Sequence, residues 1–257
     1  MANNHDSTSS KGGEEYDGIL IRCCFEAERG MFRVMEAKGK ALSSGGFGVT
    51  ISTKTSNGID TDATVKSAEY LFVEEMLFLQ QQGLLECMDN ATGNALDSGQ
   101  LFRMLPILNL SLPMYLVYAH LRSQDFRVLR HSPDRLSLLM EQEKLGDTPS
   151  RQESTRLRQL VRTSIAEAPA PSIDRADIAW DAYNPNSKFG KTHPGLPNFY
   201  VAVTYYNEPH LRFSEINHLI LNQCHGIPLK LATVSDSGTV VMFGVSNMGV
   251  PKIGDKK

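Results

Sequence analysis

The sequence predicts an α+β fold, in which a mixed helix-and-strand region precedes a small domain built on a mixed sheet. The chain of 257 residues is 41% hydrophobic and 21% charged, as is typical of globular proteins. Short β-branched and aromatic runs recur between helical patterns. Near the C-terminus these runs follow the order strand, strand, helix, strand, strand, which predicts a separate mixed-sheet domain.

Changes in composition predict five parts. Residues 1–17 are rich in serine, glycine and charge, so we expect a disordered tail. We expect an N-terminal α/β region over 18–131 and a flexible basic linker over 132–172 that carries one or two short helices. The linker ends in an Ala-Pro-Ala-Pro-Ser run, which is typical of a domain boundary. The sheet domain then spans 173–247, and 248–257 form a second tail.

The N-terminal region opens with apolar runs at 19–25 and 31–35 that predict two strands. An apolar stripe over 67–83 predicts the first long helix, with Gly83 at its end. Asp97 is the expected N-cap of a second helix.

Ser111 and Pro113 predict the start of a third helix, which ends near Gln124. The alternating apolar and basic residues of 126–130 then predict an edge strand or a half-buried strand.

In the C-terminal domain, Ser214 is the expected N-cap of a helix that Gly226 stops. A turn at 235–238 is expected to join the last two strands as a hairpin. The predicted strands share dense apolar content and cover 178–183, 199–206, 229–234 and 239–245.

Composition excludes several classes of function. The net charge of −3 gives no global attraction to nucleic acid, so any such contact needs a local patch. No apolar run is long enough for a membrane span, and the N-terminus has no apolar signal core, so we expect neither a membrane protein nor a secreted one. The four cysteines include no CxxC pair, and we expect reduced thiols in a cytosolic or nuclear protein.

No metal or cofactor is expected. His218 and His225 are seven residues apart and Cys224 adjoins His225, which does not match the short, fixed spacing of zinc ligands.

Arginines cluster in and just before the predicted linker. Guanidinium groups suit phosphate oxygens, so they are candidate RNA contacts, although a solvated helix face explains the same charge pattern. The candidates are Arg122, Arg127, Arg130, Arg156, Arg158 and Arg162.

Four segments, in order, resemble one family. Segment 70–86 is an acidic and apolar helix, 111–130 is a helix followed by a strand, 180–199 combines aromatic-Asp-x-Tyr, Lys-Phe and Pro-Gly-x-Pro, and 226–236 is a late strand. Together they are similar to the large non-catalytic subunit, of the fifty-four-kilodalton type, of the eukaryotic tRNA-splicing endonuclease. The resemblance implies a tRNA-intron-endonuclease-like C-terminal domain.

The resemblance also implies a chemistry and its loss. Active subunits of the family cleave RNA without a metal, using a tyrosine, a histidine and a lysine. Mapped onto this chain, the tyrosine position is Tyr183, the histidine position is Pro197 and the lysine position is Ile227. Proline and isoleucine can supply neither a proton nor a charge, so we expect a vestigial site and no catalysis.

Two alternatives remain open. His193 is ten residues after Tyr183 and Lys230 is three after Ile227, so an autonomous metal-independent ribonuclease could use Tyr183, His193 and Lys230. A general RNA-binding module unrelated to splicing is the other.

By resemblance, the chain is a structural subunit of a heterotetramer that removes introns from precursor tRNA. It pairs with the catalytic subunit that cuts the 5′ splice site, and a second catalytic subunit and one small structural subunit complete the complex. The expected compartment is the nucleus, or the cytosolic face of mitochondria as in yeast. The candidate subunit interface lies on the last strand and the turn before it, at Asp236, Ser237, Val240, Val241, Met242 and Phe243.

Overall fold

The structure, a computed structural model, forms helices and two five-stranded mixed sheets within its described residues, which confirms the α+β class. The predicted tails at 1–17 and 248–257 lie outside the described residues. The described ranges are 20–54, 65–144, 151–171, 177–185, 189–191, 193–209 and 211–245.

The first sheet combines an antiparallel ladder with one parallel pair. Its strands are β1 (Ile21–Glu26), β2 (Met31–Ala37), β3 (Val49–Lys54), β4 (Val65–Leu71) and β5 (Leu85–Met88). Their order is β3-β4-β2-β1-β5, and only the pair of β1 and β5 is parallel. That pair sets Cys23 opposite Cys87 in the core, and all four cysteines are free thiols.

The second sheet contains the four predicted C-terminal strands and one more. Its strands are β6 (Arg127–Arg130), β7 (Ile178–Tyr183), β8 (Phe199–Tyr205), β9 (Leu229–Val234) and β10 (Val240–Val245). The order is β10-β9-β8-β7-β6, with β8 and β9 parallel and the other pairs antiparallel. Strand β6 belongs to this sheet, although the predicted division at 131 and 132 placed it in the N-terminal region.

Most helices lie in the first two thirds of the chain. They are α1 (Ala41–Gly45), α2 (Val73–Gln81), α3 (Ser98–Phe102), α4 (Met104–Ile107), α5 (Leu112–Ser123), α6 (Pro133–Lys144), α7 (Arg151–Ala166) and α8 (Phe213–His218). A π-helical turn, Leu219–Gln223, extends α8. Among the described residues, no single helix is long and apolar enough to cross a membrane; one pair, Ser98–Ile107 with Leu112–Ser123, meets the length and composition test together but is bent by 117°.

Two helix starts are confirmed at their capping residues. The Asp97 carboxylate accepts the Gln100 N–H at 2.7 Å, and the Gln100 side chain accepts the Asp97 N–H at 2.9 Å, which completes a capping box. Ser111 accepts the Met114 N–H at 3.4 Å, and α5 ends at Ser123 with Gln124 as its C-cap, which confirms the predicted end near Gln124.

Two other starts differ from the prediction. The helix predicted over 67–83 begins only at Val73, because the residues before it pair with β3 as strand β4. Helix α8 begins one residue before the predicted cap Ser214. There the Glu215 carboxylate accepts the Arg212 N–H at 2.6 Å, and Ser214 lies inside the helix and not at its N-cap.

The main hydrophobic core joins the two sheets. Helix α5 packs against α2 on one side and against one face of the second sheet on the other. The ring of Tyr118 on α5 lies 5.4 Å from that of Trp180 on β7. The core therefore continues across the predicted domain boundary.

The predicted linker segment carries two helices, α6 and α7, and they pack against each other and against both halves of the chain. The buried side chains of Leu139 on α6 and of Val161 and Ile165 on α7 share one cluster with Phe72 of the first half and Tyr183 of the second sheet. The spacing of four between Val161 and Ile165 places both on one helix face. Residues 145–150 and 172–176 of this segment lie outside the described ranges.

Candidate functional site

Tyr183, which the resemblance maps to a tyrosine position, is buried at the end of β7. Its side chain packs under α6 and α7, and its ring centroid lies 5.1 Å from that of Phe189. The hydroxyl is buried and makes no hydrogen bond to a described residue. Burial, reinforced by the charge of Asp181, raises the pKa of Tyr183 well above its usual value, although Arg135 opposes this rise. The phenol is neither accessible nor easily deprotonated.

The other two mapped positions carry no ionisable group. Pro197 is buried two residues before β8 begins. Ile227 is half-buried and packs against the cluster that contains Leu229 and Leu231 of β9. All three mapped positions, including Tyr183, thus serve packing.

The alternative trio of Tyr183, His193 and Lys230 does not converge. The exposed His193 has its Nδ1 atom 3.0 Å from Oε1 of Gln142. The ammonium of Lys230 lies 3.8 Å from the ring centroid of Phe199.

The sheet register places the Lys230 ammonium on the face of the second sheet opposite to that of Tyr183. Phe199 is paired with Ala182, and side chains alternate along β7, so Phe199 and Tyr183 lie on opposite faces of the second sheet. Lys230 covers the face that packs against α5, whereas Tyr183 lies on the face under α6 and α7.

A buried charged cluster lies beside Tyr183, and sequence analysis missed it. The Asp181 carboxylate is 2.6 Å from Nδ1 of His131 and accepts an N–H of Arg135 at 2.5 Å. Arg135, which is 0% exposed, also donates to the carbonyl of Arg130. An aspartate within the apolar strand at 178–183 was the available signal, since buried charges need partners.

Two of the arginines predicted as RNA contacts are buried, which corrects that prediction. Arg122 donates to the carbonyl oxygens of Phe126 and Gly45, at 2.8 Å each, and stacks on the Phe47 ring at 4.0 Å. Its guanidinium therefore links α5 to the residues that follow it and to the end of α1.

Arg130 makes a two-pronged ion pair with Glu74 at 2.7 and 2.8 Å, and its side chain is 9% exposed. The half-buried Arg127 donates to the carbonyl oxygen of Ser44 at 2.8 Å. These two arginines of β6 attach the second sheet to the N-terminal half.

The arginines of α7 are different. Arg156 and Arg158 are exposed, and Arg162 is half-buried beside a cleft. Within the described part of the chain, none of the three makes an ion pair. They remain available as the predicted polyanion contacts.

Strand β10 is an edge strand with an exposed apolar face. Val241 is 58% exposed and Phe243 is 49% exposed, whereas Val240 and Met242 pack against the core. Within the described residues, no strand pairs with its outer side.

The hairpin determines which backbone groups point outward. Ser235 donates its N–H to the carbonyl of Thr239, and the ladder continues in the same register, so Val241 and Phe243 bond inward to β9. By alternation, the N–H of Gly244 points away from the sheet, as do those of Val240 and Met242.

Asp236 lies exposed in the turn before β10. Both of its carboxylate oxygens accept from the amide nitrogen of Asn207, at 2.6 Å each. The hydroxyl of Ser237 lies 2.8 Å from that of Ser235 and 3.1 Å from that of Thr239. This hydrogen bonding orders the turn around Asp236.

Among the described residues, no three His, Cys, Asp or Glu side chains are placed to hold a metal ion. Nδ1 of His218 lies 2.7 Å from the side-chain amide nitrogen of Asn222. No protein-family model and no curated protein matches the sequence.

Proposed function

We propose that the chain is a non-catalytic structural subunit of the tRNA-splicing endonuclease, the complex that removes introns from precursor tRNA. In this role it holds the catalytic subunit that cuts the 5′ splice site and helps to position the precursor. The proposal starts from the four sequence segments that resemble the family's large non-catalytic subunit, and the geometry of the second sheet supports it.

The observation that carries the proposal is the state of the mapped site. Tyr183 is buried under α6 and α7, and the two partner positions hold Pro197 and Ile227. Metal-free cleavage of RNA needs a base, an acid and a cation around one phosphate. This part of the chain offers an inaccessible phenol and two apolar side chains, which suits a scaffold.

The open edge of β10 supports a role in assembly. An edge strand presents unpaired N–H and C=O groups, and pairing with a partner strand satisfies them. The exposed side chains of Val241 and Phe243 lie beside these groups and add apolar surface for the same partner. The ordered turn around Asp236 provides a carboxylate for a basic pocket on a second neighbour.

The direct test is cleavage of an intron-containing precursor tRNA. We expect no product from the purified chain alone, and both splice-site products once catalytic partner subunits are added. A matched preparation carrying His193→Ala should behave identically in both arms. Cleavage by the lone chain that His193→Ala abolishes would instead establish an autonomous ribonuclease.

Affinity purification from a eukaryotic cell extract tests the assembly itself. We expect two catalytic endonuclease subunits and a second structural subunit to co-purify, and Asp236→Lys to loosen the complex on a sizing column. RNA retention without any endonuclease subunit would favour the general RNA-binding module.

A further inference from the structure

A polar cleft lies between α7 and the first sheet, remote from the open edge of β10. Its volume is about 600 Å³, which is within the range of small-ligand sites. The start of β2, the middle of β3 and one side of α7 line it.

The floor of the cleft is apolar. Met31 and Phe72 are buried there, and the guanidinium of Arg130 lies over the Phe72 ring, 4.1 Å from its centroid. The half-buried Ile51 and Ala166 provide the apolar surface that stays open to a ligand. This surface can contact the face of a flat ring system.

The rim of the cleft carries guanidinium groups. Arg162 is half-buried and makes no ion pair with a described residue. Arg29 is held in place by Glu26, whose carboxylate accepts its Nε–H at 3.0 Å, and its other nitrogens remain available for a ligand. Arg130 also lines the cleft, but Glu74 already neutralises it.

Two exposed carboxylates, Glu28 and Glu167, share this rim. Arg29, which Glu26 already pairs, and Arg162 face the carboxylates of Glu28 and Glu167, so the rim gives no net attraction for a simple polyanion. These groups suit a ligand that has an anionic group at one position and hydroxyl or amino donors at another.

We propose that this cleft binds a nucleoside phosphate. Arg29 and Arg162 bind the phosphate, Glu28 and Glu167 accept hydrogen bonds from sugar hydroxyls or from a base amino group, and the base lies on the apolar floor. This goes beyond the assembly role, and it does not depend on it. A free nucleotide and one nucleotide of an RNA strand have the same chemistry.

The exposed side of α7 provides a way to distinguish a free nucleotide from an RNA strand as the ligand. A depression lined by Gln152, Arg156 and Gln159 adjoins the cleft, because Gln159 lines both. Arg156 precedes Arg162 by six residues, or about 9 Å along the helix axis. An RNA strand that leaves the cleft along α7 reaches Arg156, whereas a single nucleotide does not.

The experiment measures binding of adenosine 5′-monophosphate, inorganic phosphate and a short single-stranded RNA by the full chain. We expect the mononucleotide to bind at least tenfold more tightly than inorganic phosphate. Arg162→Gln and Arg29→Gln should each weaken mononucleotide binding about tenfold, because each removes a charge-assisted hydrogen bond. The matched control for the mononucleotide is Arg158→Gln on the same helix, which lines neither cavity and should leave mononucleotide binding unchanged.

The Arg156→Gln variant identifies the source. A loss of RNA binding with unchanged mononucleotide binding indicates a strand along α7, and unchanged binding of both indicates a free nucleotide. Thermal unfolding of each variant confirms that the fold is retained. The proposal is overturned if the native chain binds no mononucleotide at millimolar concentration, or if neither Arg162→Gln nor Arg29→Gln weakens binding. Because the cleavage assay uses partner subunits, this result and the assembly proposal can fail separately.

Discussion

The two ends of the second sheet differ in whether their polar groups find partners within the chain. At the β6 and β7 end, charged groups are buried and each main partner is supplied from elsewhere in the chain, as with Asp181 and Arg135. At the β10 end, Val241 and Phe243 are exposed and the outer backbone groups of the strand are unpaired among the described residues. The end that carries Tyr183 is closed by α6 and α7, while the outer side of β10 is unpaired among the described residues.

The largest effect is expected at the closed end. Asp181→Ala leaves the fully buried guanidinium of Arg135 without its counter-charge, and we expect a loss of about 3–5 kcal/mol in the free energy of unfolding. Urea denaturation measures it.

The control at the open end is Asp236→Ala, which removes an exposed carboxylate and should cost less than about 1 kcal/mol. Equal losses of unfolding free energy from Asp181→Ala and Asp236→Ala would show that the two ends of the sheet contribute alike to stability.

The pair of Glu74 and Arg130 should rank second. Glu74→Gln removes the negative charge from a two-pronged contact in which both side chains are at least nine-tenths buried, and we expect a loss of about 2–3 kcal/mol. Glu36→Gln is the matched change in the exposed pair with Arg22 and should cost less than about 1 kcal/mol. Similar unfolding midpoints for the two variants would show that burial does not strengthen the Glu74 pair.

Removing one backbone N–H tests whether β10 pairs with a partner strand. Gly244→Pro removes an outward N–H, and its side chain meets open space, so we expect a change of less than about 1 kcal/mol in the monomer but clear loss of the partner subunit in co-purification. Gly244→Ala keeps the N–H and should retain the partner. Full retention by the proline variant would exclude strand pairing at this edge.

The smallest effect concerns Glu69 on β4. Burial raises the pKa of Glu69, with Lys191 opposing and Glu75 adding to the rise. A raised pKa means that the folded state holds the proton more tightly, so stability from this group is greatest at low pH and is lost as pH rises through the folded pKa. We therefore expect Glu69→Gln to raise the thermal midpoint slightly at pH 7 and hardly at all at pH 4. A larger gain at pH 4 than at pH 7 would contradict this sign.

Local signals in the sequence were sufficient for much of the fold. The Asp97 and Ser111 caps and the four C-terminal strands follow from turn chemistry and apolar periodicity, which depend on near neighbours. The strand β4 was missed because its residues run without a break into the apolar stripe of α2, and only pairing with β2 and β3 separates them.

The candidate site was harder to predict because its determinants are distant in sequence. Arg130 and Glu74 are 56 residues apart, and Arg135 and Asp181 are 46 apart. An arginine that donates to a buried carboxylate or to carbonyl oxygens looks the same in the sequence as one that faces solvent. For that reason Arg122 and Arg130 were assigned to RNA, while the cleft beside Arg162 was not anticipated.

The shared core has a consequence for biosynthesis. Tyr118 and its neighbours on α5 leave the ribosome long before β7, β8 and β9, the strands that cover them. At ordinary rates of translation, the delay between α5 and β9 is on the order of ten seconds. During that interval the nascent chain exposes one side of α5 to solvent, so its yield should depend on cotranslational chaperones more than its modest length suggests.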